Sequence, residues 1–259
     1  MNLTDHPLAV VTGGGRNLGR QIALRLAHQG ADVAVMSPDS EDLERVVSEI
    51  HGLGRRAHAA VVDITSEEEV RAGFAEIRHA LGPIEILVNN AGIAGPTARI
   101  DEIAYREWQE CLDVNLTGAF LCSQAVAAEM IERRCGKIIN ISSVAGKIGY
   151  PLRAPYAASK WGLIGLSLTL SKELGPFNVQ VNTICPGPIQ GPRIDAVIRD
   201  RAQEMEKSEE EVRQIYLSTM SLGRMVTMKD VADMVAYLAS QAGDNISGQA
   251  IDVSAGYDV

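Results

Sequence analysis

Leu8-Ala9-Val10-Val11-Thr12-Gly13-Gly14-Gly15-Arg16-Asn17-Leu18-Gly19 decides how this chain is read: an apolar, β-branched run breaks into three glycines and resumes as a helical pattern over Leu18–Gln29. Glycine has no Cβ and accepts positive φ, so the backbone here can approach a ligand closely. The free N–H groups at the start of the following helix then face that ligand and favour negative charge. Gly13, Gly15, Arg16, Asn17, Leu18 and Gly19 are therefore the candidate contacts of a phosphate-bearing dinucleotide.

The same alternation continues along the chain. Short Val/Ile-rich runs at Leu8–Val11, Val33–Met36, His58–Val62, Ile84–Val88, Lys137–Ile141, Val179–Ile184 and Ala250–Val253 predict strands covered on both faces. Between them, helical periodicity predicts Leu18–Gln29, Glu41–Gly52 (with Asp39 or Ser40 as cap), Glu67–Leu81 after Ser66, Val114–Arg133, Ala157–Leu174 and Lys229–Ser240. This is the pattern of an α/β fold: a doubly wound parallel sheet of about seven strands with helices on both faces. No linker or repeat divides it, so residues 1–259 read as one domain. Charge-rich helical sequence at Arg193–Ser221 interrupts the rhythm as an insertion. It is expected to form a helical lid whose Ile194, Val197, Ile198, Val212, Ile215 and Met220 cover an apolar pocket wall.

Composition narrows the function classes. Of 259 residues 46% are hydrophobic and 22% charged, with a mean hydropathy near zero, which fits a soluble globular chain. No uninterrupted apolar run approaches the ~18–20 residues of a membrane span, and the first residues lack a secretory pattern, so a cytoplasmic location is expected. A net charge of −9 disfavours nucleic acid and anionic membranes as partners. Cys111, Cys122, Cys135 and Cys185 are scattered without metal-ligand spacing, so they read as small buried residues and no metal site is expected.

A second constellation lies beyond the glycines. Tyr156 and Lys160 stand four residues apart on a helical pattern, hence on one face, where an ammonium would favour phenolate over a phenol of ordinary pKa about 10. Ser143 follows a strand at the edge where such sheets bind ligands; its hydroxyl can donate to an oxygen that gathers charge, with Ser142 as the neighbouring alternative. The blocks Thr12-Gly13-x-x-x-Asn17-x-Gly19, Asn89-Asn90-Ala91-Gly92, Asn115, Ser143, Tyr156-Ala157-Ala158-Ser159-Lys160 and Pro186-Gly187 occur in a familiar order over nearly the whole chain. In them the chain resembles the short-chain dehydrogenase/reductase family and its Rossmann-type sheet. It departs at Asn17, where glycine is usual, and at Gly191, where threonine is common. Asparagine best tolerates the left-handed backbone such a position requires.

The resemblance implies an NAD(P)-dependent oxidoreductase that interconverts an alcohol and a carbonyl. Tyr156 would exchange the proton, Lys160 would lower its pKa and orient the ribose, Ser143 would hold the substrate oxygen, and Asn115 would hold a water linked to the lysine. Asn89 is then structural, Asn90, Ala91 and Gly92 floor the adenosine ribose, Asp63 faces the adenine edge, and Pro186, Gly187 and Ile189 pass over the nicotinamide. Homo-tetramerisation through helices Val114–Arg133 and Ala157–Leu174 and the C-terminal segment is also implied. For the cofactor, Ser37 and Pro38 occupy the deciding strand end without deciding; Asp39 could serve the ribose of NAD, whereas Arg16 could pair with the 2′-phosphate of NADP, and the reading tilts to NADP. Arg153 and Arg193 flank the expected substrate end and suit an acidic polyol, sugar or acyl thioester, with pairing to neighbouring acids as the plain alternative. A nucleotide-sensing regulator on the same fold is the competing class; it would have less need of a complete proton-transfer set.

Overall fold

The computed structural model describes residues 6–257. Seven strands, β1 (Leu8–Thr12), β2 (Asp32–Ser37), β3 (Ala57–Val61), β4 (Ile84–Asn89), β5 (Gly136–Ile141), β6 (Val179–Pro186) and β7 (Ala250–Val253), form one sheet in the order β3-β2-β1-β4-β5-β6-β7. Every pairing is parallel. The chain winds outward from β1 to β3, returns to β4 beside β1, and winds outward the other way. That reversal opens a crevice at the C-terminal ends of β1 and β4, which is where open α/β sheets take ligands.

The helices are α1 (Asn17–His28), α2 (Ser40–Gly52), α3 (Glu67–Leu81), α4 (Tyr105–Leu112), α5 (Gly118–Arg133), α6 (Ala154–Leu174), α7 (Pro192–Glu204), α8 (Glu209–Ser218) and α9 (Met228–Ala239). Strand period two sorts the core into two layers. Ala9, Val11, Val33 and Val35 pack with Ile22 and Leu26 of α1, Leu43 and Val46 of α2, and Val231 and Val235 of α9. Leu8, Val10, Ala34 and Met36 face the opposite way, onto Phe74 and Ile77 of α3 and Val126 and Met130 of α5. Side-chain caps start α2 and α3, with Asp39 accepting from the Asp42 N–H and Ser66 from the Glu69 N–H.

Strand and helix existence matches the sequence reading, and most ends shift by one or two residues. Larger differences have local causes. The helix expected from Val114 begins at Tyr105 and runs through a π-helical turn at Asp113–Thr117 before α5. The Tyr105–Arg133 run spans 29 residues and is long and apolar enough to cross a membrane by length and composition alone, although Arg106, Glu107, Glu110 and Asp113 keep it from being an uninterrupted apolar run. Here one of its faces lies on β4 and β5, with Cys122, Val126 and Met130 in the core. Cys111, Cys122 and Cys185 are buried as expected, but Cys135 is exposed, because it follows left-handed Arg134 where the chain leaves α5. The insertion forms a cap, α7 and α8, with its own apolar cluster of Ile194, Val197, Ile198, Val212 and Met220. Ile215 does not join it; at 42% exposure it lies on the outer side of α8.

Asn17 tests the backbone argument. It has φ +47, in the left-handed region, at the first residue of α1. Asn17→Gly should keep stability within about 0.5 kcal/mol, whereas β-branched Asn17→Val should lose roughly 1–2 kcal/mol in urea unfolding.

Candidate active site

The glycine turn is built by contact as much as by conformation. Gly13 has φ +60, and a Cβ on Gly19 would lie 2.0 Å from the Gly13 carbonyl oxygen and 2.6 Å from Asn90 Nδ2. Behind the turn, Thr12 Oγ1 accepts from the N–H groups of Asn90 and Ala91, both at 3.0 Å, while Asn90 Nδ2 donates to the carbonyls of Thr12 at 2.9 Å and Gly13 at 3.2 Å. The ends of β1 and β4 are thereby locked across the crevice. A backbone cradle that excludes side chains at the N-terminus of α1 fits the diphosphate of a dinucleotide.

Beside the cradle, Ser37 Oγ accepts from the Asp39 N–H, and Asp39 is occupied as the cap of α2. Arg16 is exposed, extended at the start of α1, and without an ion pair among the described residues. Asp63 accepts from the N–H and hydroxyl of Thr65, so its carboxylate shapes the turn after β3.

β5 and α6 carry the second constellation. Ser142 Oγ donates to the Lys160 carbonyl at 2.9 Å, and Lys160 Nζ donates to the Ile141 carbonyl at 2.8 Å, two reciprocal bonds that hold the start of α6 on the end of β5. Ser142 is thus structural. Ser143, in extended conformation ahead of a 3-10 turn at Val144–Gly146, accepts from the Ala145 N–H at 3.2 Å and lines the same cavity as the phenol of Tyr156. Burial would raise the Tyr156 pKa, but Arg193, Lys160, the Ser143 hydroxyl and Arg153 outweigh it and hold the phenol below its ordinary value. Burial pushes the Lys160 ammonium below its usual range, and the nearby phenol opposes that shift.

Asn115 sits in the π turn, buried behind Gly92. Its Oδ1 accepts from the Ile93 N–H at 2.8 Å; its Nδ2 donates to the Ile93 carbonyl at 3.1 Å and to Ser159 Oγ at 3.0 Å. The side-chain amide therefore holds the loop after β4 and helix α6 together, and it has no direct bond to Lys160.

These parts line one cavity of about 500 Å³. Along it stand Gly13, Gly15, Arg16, Asn17, Leu18, Gly19, Ser37, Asp63, Asn90, Ala91, Gly92, Ser143, Arg153, Tyr156, Lys160, Pro186, Gly187, Ile189 and Arg193. Asn115 alone of the sequence candidates lies behind the wall. After β6, the Pro188 carbonyl and the Gln190 N–H pair with Val226 in a one-residue parallel bridge, which leaves the Ile189 peptide groups turned from that partner. Arg153 is 2% exposed and stacks 5.2 Å from the Tyr156 ring centroid; Arg193 is exposed at 5.8 Å. Arg199, which also flanks this end in sequence, instead pairs with Glu209 on the surface of the cap.

Sequence reasoning missed Tyr150, Ile93 and Met228 in the wall. Tyr150 was visible six residues before Tyr156, but its setting depends on the cap: its hydroxyl lies 3.0 Å from that of Tyr216 in α8, and Arg201 of α7 donates to the same Tyr216 oxygen. These bonds fasten the cap to the pocket wall.

The short chain dehydrogenase family profile matches residues 7–203. The chain belongs to the short-chain dehydrogenase/reductase family. It is 38% identical over 250 residues to a 3-oxoacyl-[acyl-carrier-protein] reductase FabG of Aquifex aeolicus, covering 96% of both chains. It is 35% identical to a putative ketoacyl reductase of Streptomyces coelicolor, covering 99% of this chain and 98% of that one. Among solved structures it superposes on an actinorhodin polyketide ketoreductase with NADPH at a TM-score of 0.93, with 34% identity and coverage of 100% and 99%. An NAD+-bound xylitol dehydrogenase gives the same TM-score at 30% identity, covering 96% and 97%. The chain is an NAD(P)-dependent oxidoreductase of this family.

Proposed function

We propose that this enzyme interconverts a secondary alcohol, or a sugar hemiacetal, and its carbonyl, with Tyr156 as the acid/base. The observation that carries the reading is the Tyr156 ring with Arg153, Lys160 and Arg193 all within 5.2–5.8 Å of its centroid, cations that favour the phenolate. When bound, the nicotinamide supplies or accepts the hydride. In reduction, Tyr156 gives its proton to the oxygen that becomes the alcohol, while Ser143 donates a hydrogen bond to the same oxygen as charge gathers there. In oxidation the phenolate takes that proton back. Lys160 makes the phenolate more accessible than that of a free tyrosine and reaches the ribose; Asn115 ties the loop after β4 to α6. Pro186, Gly187 and Ile189 hold the nicotinamide end, and Gly13 through Gly19 the diphosphate. The completeness of this set favours catalysis over nucleotide sensing. The named relatives support acyl thioesters as one substrate class and the dehydrogenase neighbours support polyols or sugars as another.

NADP is the favoured cofactor in this reading. Arg16 stands at the cleft without an acidic partner among the described residues, whereas Asp39, the acid available for an NAD ribose, already caps α2. We also propose a homotetramer, because Phe120, Trp161 and Leu168 on α5 and α6 are 43%, 52% and 45% exposed on the faces turned from the sheet.

Tyr156→Phe should lower turnover by roughly 10²–10⁴-fold with cofactor still bound, measured by nicotinamide absorbance and by fluorescence titration. Because the phenol pKa is lowered, oxidation should rise with pH through a value below 10 and reduction should fall through it; Lys160→Met removes a cation and should move both limbs to higher pH. Arg16→Ala should weaken NADP binding by roughly 10–150-fold, equivalent to about 1.5–3 kcal/mol, and NAD binding far less. Light scattering should give a tetramer that Trp161→Glu dissociates.

A further inference from the structure

Arginines in this acidic chain usually find a carboxylate: Arg20 pairs with Glu49, Arg78 with Glu129, and Arg55 and Arg56 both with buried Asp32. At the substrate end of the cavity three cations have none among the described residues. Arg153 is 2% exposed, donates through Nη2 to the Ala94 carbonyl at 2.7 Å, and keeps a buried Nε without any partner. Arg193 donates to the Gly92 carbonyl at 3.2 Å, and Lys160 to that of Ile141 at 2.8 Å. All three lie within 5.2–5.8 Å of the Tyr156 ring centroid. A guanidinium cannot escape burial by losing its proton, and an uncompensated buried cation is costly. Tyr156 offers at most one negative charge, as phenolate, against the two permanent guanidinium charges beside it. When it is a phenol, ready to protonate a carbonyl, it offers none.

We propose that the substrate brings the missing charge: it carries a carboxylate about one or two carbons from the reacting carbon, and Arg153 and Arg193 bind that carboxylate. The proposal rests on the alcohol–carbonyl reading and narrows it to oxo acids and the matching hydroxy acids, acidic polyols included. The arginines suit the role because a planar carboxylate meets a guanidinium through paired, charge-assisted bonds. Their position, 5.2 and 5.8 Å from the Tyr156 ring centroid, places such a group beside that ring. Arg153 would hold it from inside the wall, and Arg193, on the first turn of α7, from the cap side. A neutral acyl thioester offers no charge at that point.

The test compares acids with their methyl esters on the cofactor-loaded enzyme. Calorimetry of 3-oxobutanoate and 3-oxooctanoate and of their methyl esters, with oxidised cofactor so that no reduction occurs, should show each acid binding about tenfold or more tighter than its ester. Arg193→Met, at an exposed position, should collapse that ratio to about twofold or less, and Arg153→Met should do likewise. Arg153→Lys should restore part of the ratio if Arg153→Met folds poorly. Equal affinities of acid and ester, tighter binding of the ester, binding of neither, or an acid preference untouched by Arg193→Met would overturn the proposal. Turnover with NADPH and NADH is read separately. Preferential binding of the acids without reduction of either form would sink the alcohol–carbonyl reading and leave the carboxylate site standing. Equal reduction of acid and ester at equal affinity would do the reverse.

Discussion

Thr12 and Asn90 exchange hydrogen bonds across the one place where the winding of the sheet reverses, and the rest of the site depends on that lock. The crevice exists because β1 is flanked by β2 and β4, whose connections leave in opposite directions. Its width at the glycine turn is set by side chain to backbone bonds, since a Cβ on Gly19 would collide with the Gly13 carbonyl and Asn90 Nδ2, and one on Gly13 would crowd the backbone of Ala91. An unanchored glycine turn would be free to collapse or open. Bonded to the end of β4, it presents the N-terminus of α1 at a fixed distance from the floor formed by Asn90, Ala91 and Gly92.

The half of the sheet that carries α6 is registered to that floor by buried polar groups rather than by apolar packing alone. Asn89 donates to Asn140 on the neighbouring strand and to Ser123 of α5, and Asn140 donates to Ser167 of α6. Apolar contacts tolerate sliding by a fraction of a turn; a buried amide left unpaired would cost about 1–3 kcal/mol, so this ladder gives α6 one position along the sheet. The reciprocal bonds of Ser142 and Lys160 repeat the same device nearer the site. The π turn around Asn115 adds a third tie, at the kind of helical irregularity that accompanies functional sites. Tyr156 is consequently presented by a rigid helix start, with no reliance on loop order.

Electrostatics then divide the cavity. Its glycine-turn end offers backbone N–H groups and one open arginine, Arg16, while its Tyr156 end concentrates Lys160, Arg153 and Arg193 around that phenol in a chain of net charge −9. Low local polarity makes each of those charges count for more than it would on the surface, which is why the phenol pKa falls despite burial. The cap contributes Arg193 and the apolar Ile194 and Val197, and its Arg201–Tyr216–Tyr150 contacts fix it against the wall it completes.

Local pattern alone determined a large part of this protein. Strand period, helix period, the glycine turn, the caps at Asp39 and Ser66 and the Tyr156–Lys160 spacing all act within a few residues, so they are written in adjacent letters. The left-handed backbone at Asn17 was legible for the same reason. What tertiary structure decided involves residues brought together from distant segments: that Arg153 is buried without an acid while Arg199 finds Glu209, that Asn115 bonds Ile93, that Ser142 is taken by Lys160 while Ser143 lines the cavity, and that Tyr150 belongs to the pocket wall. Burial and the identity of a long-range partner are properties of packing. A charge one residue from another in sequence can face solvent or the reacting centre, and only the closed sheet with its cap settles which.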